Sequence, residues 1–256
     1  LMRRGLALAR SYARKRFAFG AHLSEKPLHV DTLAGLQAEM EAAFHLTFFV
    51  AELVGRDEAG EIADEQRELL RFLTPVMKLT TARQAVAVAS EVLEAFGGAG
   101  YVEDTGLPVL LRDAQVLSIW EGTTNVLSLD ALRTLSRNEG AFSVLKSEVT
   151  RNLEAVHDAK LADARHTCRE AISHAEDWLK SAMKDGQPSS EAGARRFALT
   201  VGRAFALARL AQHAQWSLDE EKDARALAAT RRFAQGGIDL IKRVELDDAR
   251  LLMEDK

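Results

Sequence analysis

The stretch LLRFLTPVMKLTTARQAVAVASEVLEAFGGAGY, residues 69–101, decides the fold class. Leu69, Phe72, Val76, Leu79, Val86, Ala89, Leu93 and Phe96 recur every three or four residues, the period at which side chains share one face of an α-helix. Thr74-Pro75 inside the run predicts a kink or a fresh helix start capped by Thr74, and both keep the segment helical. Phe96-Gly97-Gly98-Ala99-Gly100-Tyr101 stops it, because glycine enters the left-handed conformation of a helix terminus without a Cβ penalty. Phosphate-cradling glycine loops follow a strand, whereas this one follows a helix, so a dinucleotide-fold or P-loop reading fails.

Working upstream, Leu6, Ala9 and Tyr12 begin a first helix running to about Arg16, and a loop is expected from Phe19 to His29. From Asp31 the positions Leu33, Leu36, Met40, Phe44, Phe48 and Ala51 predict a long core helix, closed by Gly55 to Gly60. Downstream, a loop to about Pro108 precedes a short helix over 109–119, and Thr123 or Thr124 caps another that carries Val126, Leu129, Leu132 and Leu135. Past Arg137-Asn138-Glu139-Gly140 the glycine-rich loops give way to amphipathic helices, broken most clearly at Asp185-Gly186-Gln187-Pro188-Ser189-Ser190. The expected architecture is all-α: a helical bundle over residues 1–138, then a helical extension over 139–256.

Composition agrees, since 47% hydrophobic residues among 256 bury a substantial core and only four prolines interrupt a helix-favouring vocabulary. A formal charge of −4 gives no global reason to expect nucleic acid or an acidic membrane as partner. Residues 151–256 hold 18 Lys or Arg against 18 Asp or Glu, so the whole deficit lies in the first 150. Cys168, the single cysteine, excludes an internal disulfide framework and reads as a small buried hydrophobe. No apolar run reaches the roughly 18 residues of a membrane span, and a soluble protein is expected. The opening Leu1-Met2-Arg3-Arg4 matches neither a signal nor a transit peptide and enters helical periodicity at once, as expected of a cut through a longer protein. Seven histidines show no ligand spacing, so no metal site is expected.

Chemistry concentrates at Trp120-Glu121-Gly122-Thr123-Thr124-Asn125. A carboxylate desolvated by Trp120 suits a general base that removes a weakly acidic C–H proton near neutral pH. Gly122 lets a planar ligand approach the backbone, and the free N–H groups of the helix start can donate to a carbonyl or anion. An ordinary helix start, with a threonine cap and Glu121 in solvent, has the same spacing. Arg16-Phe17-Ala18-Phe19-Gly20 places a guanidinium beside an aromatic ring, a pairing fit for a phosphate and a flat ring or for plain solvent exposure.

Three segments in this order and spacing resemble the acyl-CoA dehydrogenase family: Arg16 to Gly20, Phe96 to Tyr101, and Arg112-Asp113 leading to Trp120 through Asn125. The resemblance covers residues 1 to about 137 and is nearest the AidB-like branch, with a weaker match past 140. It implies a four-helix-bundle C-terminal domain that, in the whole enzyme, packs against an N-terminal helical domain and a middle β-domain. It also implies that Arg16, Phe19, Gly97 and Gly98 contact the FAD of a neighbouring subunit in a homo-oligomer, with Thr123 and Asn125 near the flavin. Glu121 takes the place of the base that removes the α-proton of an acyl-CoA thioester, with Trp120 and Gly122 beside the substrate. Many members have Tyr, Gln and Gln where this chain has Trp120, Asn125 and Glu94. Glu94 is left out of the site, because a carboxylate repels an FAD phosphate.

The leading reading is thus the C-terminal part of a flavin-dependent acyl-CoA dehydrogenase, inactive without its missing domains. An acyl-CoA or fatty-acyl binding protein without turnover, and nucleic-acid binding through the extension, stand as alternatives. Acyl chain length and electron acceptor stay open, as does the compartment among bacterial cytoplasm, mitochondrion and peroxisome.

Overall fold

A computed structural model describes residues 1–137, 140–243 and 245–254. Among the described residues the chain forms α1 (Met2–Lys15), a hairpin of β1 (Phe17–Ala18) and β2 (Ala21–His22), α2 (Pro27–Glu58) and α3 (Asp64–Ala95). There follow the turn α4 (Gly98–Tyr101), α5 (Pro108–Leu117), α6 (Thr124–Arg137), α7 (Gly140–Glu154), α8 (Ala162–Asp185), α9 (Gln187–Trp216), α10 (Arg225–Ala234) and α11 (Leu246–Met253). The boundary drawn at residues 138 and 139 lies outside the described residues.

The all-α architecture is as read, with three local differences. Helix α2 begins at Pro27 instead of Asp31, because the first helical position has no N–H partner to lose and proline's fixed φ suits it. Helix α3 continues through Pro75 without a new start, and Thr74 bonds back to the Leu70 carbonyl at 2.7 Å instead of capping. On α2, Phe44 and Phe48 are exposed, and Ala42, Leu46, Phe49, Val50 and Leu53 form the core face in their place. The cause is tertiary: α2 packs against α3, α9 and α10 together, which turns its buried face away from the stripe of largest side chains.

Helix α9 explains how the two halves of the sequence share one core. Val201 to Ala208 are buried all round the helix, as expected of a central helix. It contacts α2, α3, α6, α7, α8 and α10. Phe205 meets Phe49 with ring centroids 5.0 Å apart, and one cluster joins Leu46, Phe72 and Leu135 to Leu145, Phe197 and Leu207. Gly202 brings α9 close to α3, since a Cβ there would stand 2.1 Å from the Thr80 hydroxyl.

The most buried ion pair across this seam is that of Arg203 with Glu39. Arg203 donates to both Glu39 oxygens at 2.8 and 3.0 Å, to the Gly237 carbonyl at 2.8 Å and to the Gly236 carbonyl at 3.1 Å. Gln84 gives Glu39 a further bond at 2.8 Å, and the guanidinium lies 4.7 Å from the centre of the Phe233 ring. Cys168 is buried, donates to the Ala204 carbonyl at 3.2 Å and has its thiol pushed up to about 12 by burial, so it is an inert packing residue.

Candidate functional site

The Glu121 turn lies between α5 and α6. Helix α5 ends at Leu117, and α6 starts at Thr124, with Thr123 Oγ1 accepting from the Val126 N–H at 3.4 Å. Between them Glu121 takes φ 50 and Gly122 φ 108. A left-handed glutamate is uncommon and costs on the order of 1 kcal/mol or more, so the surrounding contacts must hold it. Lys78 does so: from α3 its ammonium donates to the carbonyls on either side of Glu121, Trp120 at 2.5 Å and Gly122 at 2.7 Å. Burial pushes the Lys78 pKa down, with the Glu121 charge working against that shift.

Trp120 and Glu121 edge a pocket of about 290 Å³ with Leu1, Met2, Met77 and Leu117. The carboxylate itself is exposed and Trp120 is 53% exposed, so this chain does not provide the desolvation expected from the tryptophan. Asn125 lies at the start of α6 and accepts a long 3.3 Å bond from Arg195 of α9, which ties the turn to the extension.

Arg16, Phe19, Gly97 and Gly98 assemble elsewhere. Arg16 caps the C-terminus of α1, and the hairpin pairs Phe17 with His22 and Ala18 with Ala21. Phe19 and Gly20, both at positive φ (51 and 83), make the two-residue turn whose twist matches the strands. Phe19 is 96% exposed, and its carbonyl accepts from Lys26 at 2.6 Å. The Tyr12 and Phe96 rings, 4.7 Å apart, bind the end of α1 to the end of α3 and bring the hairpin beside the glycine turn. Gly97 has φ 60 and ψ −140, a conformation L side chains rarely take, and neither Gly97 nor Gly98 has an atom within 4 Å of where a Cβ would stand.

The predicted residues therefore form two groups. Trp120, Glu121, Gly122, Thr123 and Asn125 lie near Lys78, while Gly97 and Gly98 lie beyond the C-terminus of the same helix, roughly 25 Å along it at 1.5 Å per residue. Lys78 was missed in the sequence; its only signal is a lysine between Met77 and Leu79 within an otherwise apolar stripe. Among the described residues no three His, Cys, Asp or Glu gather as a metal-ligand set, and no helix is long and apolar enough to cross a membrane.

This all-α chain, with a glutamate turn held at the middle of a long helix and an aromatic hairpin with a glycine turn at that helix's C-terminal end, has the build of an acyl-CoA dehydrogenase C-terminal region. The family model described as "Acyl-CoA dehydrogenase, C-terminal domain" matches residues 1–136, and one described as "Acyl-CoA dehydrogenase 11 C-terminal domain-like" matches 140–248. The chain belongs to the acyl-CoA dehydrogenase family.

Among its relatives, acyl-CoA dehydrogenase family member 11 of Caenorhabditis elegans is 42% identical over 83% of this chain and 35% of its own length. The putative acyl-CoA dehydrogenase AidB of Escherichia coli is 34% identical over 57% of this chain and 26% of its own. The crystal structure of Caenorhabditis elegans ACDH-11 in complex with C11-CoA superposes with a TM-score of 0.92 at 36% identity, covering 100% of this chain and 44% of that one. The Bacillus anthracis acyl-CoA dehydrogenase complexed with FAD shares the fold, with a TM-score of 0.78 at 17% identity over 98% of this chain and 48% of that one. The chain thus spans less than half the length of these relatives.

Proposed function

We propose that this chain is the C-terminal part of a flavin-dependent acyl-CoA dehydrogenase in which Glu121 removes the α-proton of an acyl-CoA thioester. The observation that carries the reading is the strained Glu121 turn, clamped through both neighbouring carbonyls by Lys78 at the edge of an apolar pocket. Glu121 precedes α6 by three residues and takes no part in its cap, since Thr123 accepts from the first-turn N–H. Thr124 and Asn125, in the first turn of α6, have N–H groups without intrahelical partners, and these can hold a thioester carbonyl beside the base.

The second group fits a flavin dinucleotide as one wall. The Phe19 ring stands free in solvent, Arg16 can meet a phosphate, and the open backbone at Gly97 and Gly98 admits close approach. Bound flavin would supply the hydride acceptor. Because this wall lies so far from Glu121, Arg16, Phe19, Gly97 and Gly98 are read as serving a neighbouring subunit in a homo-oligomer, with Thr123, Asn125, Trp120 and Gly122 serving the chain's own site. Residues 139–256 act as the extension that covers the bundle, seated by α9. With Glu121 exposed here, the fragment is read as inactive alone: the desolvation a carboxylate base needs must come from segments that cover it in the longer protein.

Glu121→Gln in the full-length parent tests the assignment. The amide keeps the shape and cannot accept the proton, so acyl-CoA binding stays near wild type while flavin reduction on anaerobic mixing falls about 10²–10⁴-fold. Reduction at the wild-type rate would remove Glu121 as the base.

A further inference from the structure

A second pocket lies on the seam between the bundle and the extension, walled by α1, α2 and α10, with a volume of about 370 Å³. Its floor is aliphatic, formed by Leu33, Ala38 and Ala229, all buried. Four arginines reach its wall: Arg10 and Arg14 from α1, Arg225 and Arg232 from α10. Two carboxylates answer them. Glu41 accepts from Arg225 at 3.0 Å and Asp31 accepts from Arg232 at 2.8 Å. Arg10 donates to the amide oxygen of Gln37, which in turn donates to Glu41. Arg14 has no ion pair or hydrogen-bond partner among the described residues. His29, also on the wall, buries an Nε2 that has no partner.

The balance leaves two guanidinium charges uncompensated around one cavity. Burial first, then the charge of Arg225 and to a smaller extent that of Arg14, hold Arg10 below its usual pKa, with Glu41 opposing them in part. A protein accepts that repulsion readily where an anion relieves it. Guanidinium forks match phosphate oxygens in pairs, and a dianionic phosphate monoester cancels a surplus of two where a carboxylate cancels one. The floor carries no aromatic ring on which a nucleobase would stack, whereas aliphatic side chains suit an alkyl chain.

We propose that this pocket binds a single-chain amphiphile with a phosphate monoester head, the head held by Arg10, Arg14 and Arg225 and the chain lying on Leu33, Ala38 and Ala229. The site is separate from the Glu121 turn, which meets the N-terminal end of α1 and shares no residue with this pocket. It needs α10, so it belongs to the extended protein and not to the bundle alone.

Calorimetric titration of the chain with octyl phosphate tests the proposal. Saturable binding at one site is expected, weakened about tenfold by Arg14→Gln and by Arg225→Gln, each of which removes one charge-assisted contact. Ala34→Phe, at an exposed wall position, fills the chain's path and weakens octyl phosphate while sparing inorganic phosphate. Helical circular dichroism reports whether each variant folds, and the wild-type affinity should also fall with ionic strength, which requires no variant. Equal affinity for octanoate would overturn the dianionic head, and equal affinity for inorganic phosphate would overturn the chain-binding floor. Unchanged binding by both Gln variants would overturn the site itself. Capture of the protein on phosphatidate vesicles would point to a membrane surface and overturn an enclosed single-chain pocket.

Discussion

Helix α3 carries two regions that handle polar groups in opposite ways. On one face Lys78 holds a turn whose carboxylate and aromatic ring point into solvent, with Glu121 in a strained conformation. On another, Thr80 and Gln84 enter the seam with α9 and α2, where Arg203 spends its donors on Glu39, Gly236 and Gly237. At the seam the Arg203–Glu39 pair completes its hydrogen bonds, although Thr80 Oγ1 and Gln84 Oε1 are buried without a partner; the turn leaves its carboxylate exposed. A charged pair inside the fold finds its partners within the chain, while an exposed carboxylate on a strained turn stays available to groups outside it.

The comparison breaks most readily at the seam. Arg203→Met removes one partner of a largely buried pair and leaves the Glu39 carboxylate with Gln84 alone, so unfolding free energy in urea should fall by about 3 kcal/mol. A loss below about 1 kcal/mol would mean that water reaches Glu39 and that the seam is looser than its geometry suggests.

A smaller effect is expected at the other end of the same interface. His45 of α2 lies against His213 of α9 with centroids 4.6 Å apart and the rings tilted by 40°, and burial, then the nearby His213 and Arg209, push its pKa down to about 4. The unfolded chain takes a proton near pH 6.5 that the folded chain refuses until about pH 4. Stability is therefore complete above the unfolded value and declines as pH falls between them, by on the order of 2–3 kcal/mol. His45→Gln should flatten that part of the curve when urea midpoints are compared across the window; parallel curves for the two proteins would refute the linkage.

The smallest expected effect sharpens the contrast from the site side. Phe19→Asn places a residue that tolerates positive φ at the hairpin tip and removes an exposed ring with no packing partner, so stability should stay within about 0.5 kcal/mol of wild type. In the full-length parent the same change should lower retained FAD, measured by flavin absorbance per subunit. A large loss of stability with normal flavin content would make Phe19 a structural residue.

Much of the local geometry around the candidate site was legible because backbone conformation there is constrained within a few positions. Gly97 and Gly122 adopt the positive φ that glycine tolerates, and Thr123 sits at the helix start its side chain can cap. Lys78 was not legible, since its role depends on a loop 42 residues away in the chain. The phenylalanine stripe of α2 was misread for a related reason: periodicity locates an apolar face, whereas the helices that pack on it decide which part is covered.

By itself the sequence determined an all-α chain and the helix stops at Gly60, Gly97 and Gly186, and it named the candidates for proton removal and ring contact, because helix propensity, glycine freedom and side-chain chemistry are local properties. Only the tertiary structure decided that α9 would be the shared core of both halves, that Arg203 would cross to Glu39, and that the predicted site residues would form two groups at separate places along α3. Each of these depends on contacts between segments far apart in the chain, where close packing and the pairing of most buried polar groups select one arrangement from many that the local pattern allows.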